Sequence, residues 1–375
     1  MKIMFFGATG DMGKRVVEEI CDHPRIKLIT IVGRNRKGYE KLVKRMYQKR
    51  KKSYKLRFVN VNLDNCLNLP EVIGESNIVA NAAGPFYRYE EMLMRASMKA
   101  GAHYVSLCDD HDAAEKVLKL DEEAKKRRVT AITGMGWTPG LSSLLARSGV
   151  DLLDETKRIY VYWAGNTENK MGLAVILHVL NSFTGKVPSL RGGEMKMVPA
   201  GSEREVVNFP EPLGDIAVYN VGHPEPVTMP LNFPDASEIV LKGGINEDLF
   251  NSLSILVNRL GLSKLSFLRD LTALFFQKTL PLWRRIARLG PEVSGIRVDV
   301  EGFFNKKECR LSYKVAGPMD VLTGLPMAFA LKMIAEGRLD RYGVFAPESK
   351  NLFDTSVMEM MEAKRIYIEK EKHFI

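Results

Sequence analysis

The segment Lys2–Gly13 reads KIMFFGATGDMG and constrains the fold more than any other part of the chain. A short apolar strand, Lys2–Phe6, runs into Gly7, Gly10 and Gly13, and a helix starts at about Asp11. Glycine lets the backbone turn tightly and approach a pyrophosphate, and a helix N-terminus offers amide donors. The spacing is GxxGxxG, a variant of the usual dinucleotide fingerprint. A glycine loop alone is compatible with a mere tight turn. Its position here, after the first strand and before the first helix, points to a dinucleotide. The expected contacts are Gly7, Thr9, Gly10, Asp11, Met12 and Gly13.

Alternation of strands and helices follows. Lys27–Val32, Leu56–Val61, Asn77–Ala82, His103–Leu107 and Val129–Thr133 read as buried-type strands, and Lys14–Cys21, Glu90–Ala100 and Asp112–Arg127 as helices. Such alternation implies right-handed parallel crossovers, hence an α/β chain with a Rossmann doubly wound parallel sheet. From about residue 136 the texture changes. Thr156–Trp163, Glu238–Lys242, Val293–Glu301 and Glu308–Val315 read as strands, and Leu173–Phe183 and Leu249–Leu260 as helices. Gly185–Pro199 and Phe209–Pro234, rich in Gly and Pro, read as loops and strand connections. This is an inserted α+β second domain. Thr323–Glu336, with Leu325, Phe329, Leu331 and Ile334, is a C-terminal helix returning to the Rossmann domain. The expected division is 1–135 plus about 321–375 for the nucleotide domain, and 136–320 for a substrate and dimerisation domain.

Composition narrows the class. The chain has 375 residues, room for two domains at roughly 150 residues each. With 45% hydrophobic and 27% charged residues it is neither disordered nor collagen-like. Cys21, Cys66, Cys108 and Cys309 are scattered, so no metal site is expected, and they suit a reducing cytoplasm. Neither a signal peptide nor an apolar run of roughly 18 residues is visible, so no transmembrane segment is expected. The net charge is +10, concentrated partly in Lys41–Arg57, which reads as a solvated helix and the start of a strand. No helix-turn-helix, zinc finger or aromatic RNA platform accompanies it, so nucleic acid is not an expected partner.

Four further segments carry chemistry. The second strand ends Val32-Gly33-Arg34-Asn35-Arg36 and lacks the carboxylate that usually bonds the ribose 2′-hydroxyl of NAD. Arg34, with Asn35 beside it, suits a 2′-phosphate, which favours NADP and leaves NAD possible. The fourth strand ends in Asn81, Ala82, Ala83, Gly84 and Pro85, small residues against which a cofactor can lie, followed by Phe86 and Arg88 as substrate candidates. The fifth strand leads to Asp109, Asp110 and His111, an acid/base candidate group, although Asp110 or Asp112 could equally cap the next helix. Trp137 and Thr138, in the glycine-rich loop after the sixth strand, and His223, in GHPEPVT, are placed for substrate contact.

Together these pieces resemble the saccharopine dehydrogenase-like oxidoreductases. GATGDMG with GRN resembles that family's nucleotide fingerprint, NAAGPF its Asn-x-x-Gly-Pro turn, and HYVSLCDD its strand followed by acids. GMGWTPGLSSLLAR, TGLPMAFALKMIAEGRL and GVFAPE resemble its Pro-Gly-Leu segment, closing helix and Gly-Val-x-x-Pro-Glu turn. The resemblance covers most of the chain, is specific over residues 1–150 and looser over 190–320. It implies NAD- or NADP-linked imine reduction or amine oxidation on an amino-acid-like compound, and a homodimer. One departure stands out: Ser106 occupies a position where many members carry Asp, so Asp109 and Asp110 are the nearest acids. Alternatives are an NAD-linked amino-acid dehydrogenase of the lysine 6-dehydrogenase type, a non-catalytic NADP sensor, and a reductase at a lipid surface. The last is motivated by Ser263–Leu289, basic and apolar by turns with a break at Pro281, which reads otherwise as a buried or dimer-forming helix pair.

Overall fold

The computed structural model describes residues 1–166, 173–246, 248–259, 266–286, 293–339, 341–353 and 356–375. The chain forms two compact units, Met1–Leu141 with Asp320–Pro347, and Ser142–Met319 with Glu348–Ile375.

The first unit is built on a seven-stranded parallel sheet. Its order is Gly343–Phe345, Thr130–Ile132, His103–Ser106, Ile78–Asn81, Lys2–Phe6, Leu28–Gly33, Leu56–Asn60. The central strands are buried nearly end to end, because helices cover both faces of a parallel sheet. The order reverses between Lys2–Phe6 and Ile78–Asn81, and such a switch point opens a crevice at the strands' carboxyl ends. Helix Met319–Glu336 is buried nearly all round rather than along one face. It lies beside helix Asp11–Ile20: Arg15 Nε donates to Asp320 Oδ2 at 3.1 Å, and the next loop's His23 meets Glu336 at 2.9 Å.

Two details differ from the sequence expectation. Gly343–Phe345, read there only as part of a turn, is the seventh strand. Asp112–Arg127 is not one helix but two, His111–Leu118 and Asp121–Lys126. Asp121 explains the break, since its Oδ1 accepts the Val344 amide at 2.8 Å and ties the second helix to the seventh strand.

The second unit holds a nine-stranded mixed sheet. Along its main path run Glu205–Phe209, Gly214–Asn220, Glu238–Ile245, Glu155–Gly165, Ser294–Phe304, Lys307–Gly317 and Ile368–Phe374. Period-two alternation gives each face its character. Ile159, Val161, Ile239, Leu241, Ile296, Val298 and Val300 are buried apolar residues. The alternate positions Arg158, Tyr160, Tyr162, Lys242, Arg297, Asp299 and Glu301 line a polar groove. Gly185–Pro199 is a hairpin, not a loop: Lys186–Arg191 pairs with Glu194–Pro199 across Gly192 and Gly193, whose φ of 62° and 78° suit a two-residue turn. Phe209–Pro234 likewise contains strand Gly214–Asn220 and helix Glu225–Asn232.

The C-terminal segment Glu348–Ile375 goes with this second unit, whereas the sequence reading put residues up to 375 with the first. Ile368–Phe374 pairs antiparallel with Lys307–Gly317, and Lys314 Nζ meets Glu371 at 2.9 Å. Helices Leu173–Ser182, Asp248–Arg259 and Ser266–Ile286 join through Ile176, Leu177, Leu180, Val257 and Ala273. The last runs on through Pro281, where a break was expected. Leu260 and residues 263–265 and 287–289 of the segments singled out above lie outside the described residues. Among the described residues no helix is long and apolar enough to cross a membrane.

Candidate functional site

The glycine loop closes on the turn after strand Ile78–Asn81. Gly7 has φ +78°, and a Cβ on it would come within 2.3 Å of the Ala82 carbonyl. A Cβ on Gly13 would lie 2.3 Å from Gly7 O and 2.7 Å from Ala8 Cα, so the helix seats directly on the loop. Gly10 N donates to Gly7 O at 3.0 Å, and Ala82 N to Phe6 O at 2.8 Å. Only glycines permit this contact between two backbones at the switch point. Thr9 and Met12 are half-buried, and Gly10 and Asp11 are exposed at the helix start, where Asp11 pairs with Lys14 at 3.1 Å.

Beside this contact is a pocket of about 150 Å³, lined by Gly7, Gly33, Arg34, the Asn62–Asp64 turn, Ala83, Gly84 and Tyr89. Arg34 is exposed at its rim and lies 3.8 Å from Asp64. Tyr89 donates to the other oxygen of Asp64 at 2.7 Å. Sequence reasoning missed Asp64. The turn after the third strand brings this carboxylate to the pocket, with Asn62 Oδ1 accepting the Asp64 amide. Asn35 caps helix Arg36–Gln48, its Oδ1 accepting the Gly38 amide at 2.9 Å.

Beneath the turn sits a second feature that the sequence did not reveal. Glu90, fully buried on helix Phe86–Lys99, accepts from Tyr104 OH at 2.8 Å, Ser106 Oγ at 2.5 Å, Thr133 Oγ1 at 2.9 Å and Asn81 Nδ2 at 3.1 Å. Burial pushes its pKa up, and the four donors pull it part of the way back. Asn81, also fully buried, accepts the Ala83 amide at 2.9 Å. Its side chain therefore holds the turn's shape. The chain continues through the Gly84–Pro85 peptide, which is cis, into buried Phe86.

The acidic segment divides in two. Asp110 is 1% exposed and stands at the N-cap of helix His111–Leu118, with Oδ2 accepting the Tyr87 amide at 3.0 Å. It fastens the fifth strand's end to the helix after the turn. Asp109 and His111 on either side are half-buried. Arg88 is exposed, stacks over Tyr87 at 5.7 Å, and lines a separate surface pocket with Glu91 and Lys116, so the structure does not bring it to the nucleotide pocket. Trp137 and Thr138 are buried in a closed loop in which Gly136 N takes Pro139 O at 2.9 Å. Met135 N to Ser106 O at 2.7 Å anchors that loop to the fifth strand.

His223 belongs to the second unit and is 3% exposed. Its Nε2 lies 3.2 Å from His178 Nε2, so one ring donates and the other accepts. On its other side, Nδ1 is 3.8 Å from Glu225, itself buried and accepting from Ser142 Oγ at 2.7 Å. Trp163 tilts against the ring at 5.5 Å. Such a string can hold and pass a proton between imidazoles.

Residues 3–132 match the family described as Saccharopine dehydrogenase NADP binding domain. A Caenorhabditis elegans protein named Lipid droplet localized protein is 27% identical over 155 residues, 40% of this chain and 35% of that protein. The matched segment thus spans about a third of that relative. In solved structures, the apo saccharopine dehydrogenase (L-Glu forming) of Saccharomyces cerevisiae superposes with TM-score 0.69 over 99% of both chains at 13% identity. The C. glutamicum DAP dehydrogenase in complex with DAP gives 0.48 over 97% of this chain and 98% of that one, at 13% identity. At 13% identity the likeness to the yeast protein is one of fold. Residues 3–132, which hold the glycine loop and the turn it closes on, are thus similar to the saccharopine dehydrogenase NADP binding domain family.

Proposed function

We propose that the chain is an NADP-linked oxidoreductase acting on a C–N bond of an amino-acid-like compound. The observation that carries this reading is the glycine loop closed on the Ala82–Ala83 turn at the switch point, with Arg34 at the pocket rim. The family match and the name of the yeast protein support the substrate class. The residues fit the cofactor: Gly7, Gly33, Ala83 and Gly84 line the open pocket beside the loop with little side-chain bulk, and Arg34 stands at its rim. Bound nicotinamide supplies or accepts the hydride. Gly7, Gly10 and Gly13 admit the pyrophosphate beside the helix amides, and the Arg34 guanidinium takes the 2′-phosphate. In imine reduction the carbon gains the hydride and the nitrogen a proton; amine oxidation reverses both. Asp109 holds or takes that proton, Asp110 keeps the segment in place, and His111 is the neighbouring candidate. Phe86, Trp137, Thr138 and His223 are the proposed substrate contacts.

Asp64 favours a second reading for the cofactor. A carboxylate 3.8 Å from Arg34 competes with a 2′-phosphate and suits the 2′-hydroxyl of NAD. Parallel titration with NADPH and NADH decides between them. Turnover over a panel of amines and keto acids tests the reaction. Cofactor retained without turnover over that panel would favour a sensor. We place the protein in the cytoplasm as a homodimer, which light scattering and fractionation would test.

A further inference from the structure

Helix Ser266–Ile286 presents two unlike faces. Inward, Ala273 and Phe276 join the small core around Ile176, Leu180 and Val257, and Arg269 donates to Asn181 at 2.8 Å. Outward, Phe267 is 73% exposed, Leu271 54% and Phe275 57%, with Leu274 exposed beside them. Positions 267, 271, 274 and 275 recur at i, i+4, i+7 and i+8, one stripe of a helix. Exposed Lys278 lies on the same stripe one turn further on.

Charge selects the occupant. The sequence from Ser263 to Leu289 carries Lys264, Arg269, Lys278, Arg284, Arg285 and Arg288 against one acid, Asp270. A second copy seated on the stripe would bring two strongly basic segments together, which like-charge repulsion opposes. Anionic headgroups would neutralise the same charges. Phenylalanine and leucine along one side with Lys278 on the same stripe, in a segment whose sequence is rich in basic residues, is the pattern of a helix that lies in the plane of a membrane interface. No described helix is apolar enough to cross one. We propose that helix Ser266–Ile286 docks the protein on a lipid surface bearing anionic headgroups, with Phe267, Leu271 and Phe275 entering the acyl boundary.

Vesicle flotation of the full chain tests this without reference to catalysis. The chain should float with phosphatidylcholine vesicles containing phosphatidylglycerol, stay behind with phosphatidylcholine alone, and be released by high salt. Replacing Phe267, Leu271 and Phe275 together by Gln should weaken flotation at least about tenfold, since three large apolar groups no longer leave water. These exposed sites should leave the melting temperature unchanged. Should the triple variant misfold, Lys278→Glu alone should still lower binding to anionic vesicles. Equal binding to neutral and anionic vesicles, or a folded triple variant that floats like the parent, would overturn the proposal. So would a dimeric parent and monomeric variant of which neither floats, which would assign the stripe to a second copy.

Discussion

Ser106 Oγ donates to Glu90 Oε1 at 2.5 Å, in an interior where neither residue has any exposed surface. That contact explains why a hydroxyl, rather than a carboxylate, suits position 106 in this chain. Ser106→Asp would place two carboxylates together away from water, where both cannot ionise. We expect a loss of more than about 3 kcal/mol at neutral pH. Glu90 already has a raised pKa, so the fold retains a proton that the unfolded chain releases above about pH 4.3. A group shifted this way contributes fully below that pH and loses its contribution as pH rises through its folded pKa. The variant's deficit in urea midpoint should therefore grow with pH from about 4 upward. A deficit independent of pH would contradict the argument.

The glycines of the loop should differ in tolerance. A Cβ at position 13 would meet Gly7 O at 2.3 Å and Ala8 Cα at 2.7 Å, both backbone, whereas at position 10 its nearest contact is Gly7 O at 3.3 Å. Gly13→Ala should push the helix off the loop, costing roughly 2 kcal/mol or more of stability and about tenfold or more in cofactor affinity. Gly10→Ala should be milder in both. Thermal melts and cofactor titration of the two variants, measured side by side, check the order.

Arg34 and Asp64 should oppose one another at the pocket rim, where they lie 3.8 Å apart. Losing the guanidinium removes a charge-assisted bond, on the order of 1.5–3 kcal/mol, so Arg34→Ala should weaken NADPH roughly tenfold or more. NADH should be nearly unaffected. Asp64→Asn frees Arg34 and removes a like charge from beside the 2′-phosphate, so NADPH should bind more tightly and NADH more weakly. Equal changes for both cofactors in either variant would break the assignment.

The parts legible in the sequence are those whose signal is local. KIMFFGATGDMG carries strand, turn and helix in twelve adjacent residues, and Gly7 and Gly13 stand where a Cβ would strike backbone. Arg34 was visible because it ends a strand whose neighbours are unmistakable. Asp64 was not, because its nearness to Arg34 depends on the third strand lying beside the second. Glu90 was hidden more thoroughly. In FYRYEEMLMR it looks like half of an exposed acidic pair. Its partners come from three strands whose carboxyl ends align only in the sheet, with Asn81 opposite Ser106 in register. The available signal was that NIVAN, HYVS and TAIT each end in a small polar residue. Gly192-Gly193 between two short apolar runs was likewise a readable hairpin signal, outweighed by the surrounding Gly and Pro.

Asp109 and Asp110 are neighbours in sequence with different surroundings, and their variants should separate. Asp110 is buried and holds the Tyr87 amide at 3.0 Å, so it acts on structure. Asp110→Ala leaves that amide without its acceptor and should cost about 1–3 kcal/mol. Asp109 is half-buried and follows the fifth strand's carboxyl end, where a doubly wound sheet presents its ligands. If it handles the substrate's nitrogen proton, Asp109→Asn should keep cofactor affinity and melting temperature while lowering turnover roughly 100-fold or more, the scale of acid/base assistance. Its pH–rate profile should lose the limb belonging to that carboxyl group. Stopped-flow turnover on a substrate found by the panel, together with cofactor titration, reads both effects. Wild-type turnover in Asp109→Asn would remove the acid from the mechanism and make the neighbouring His111 the next residue to replace.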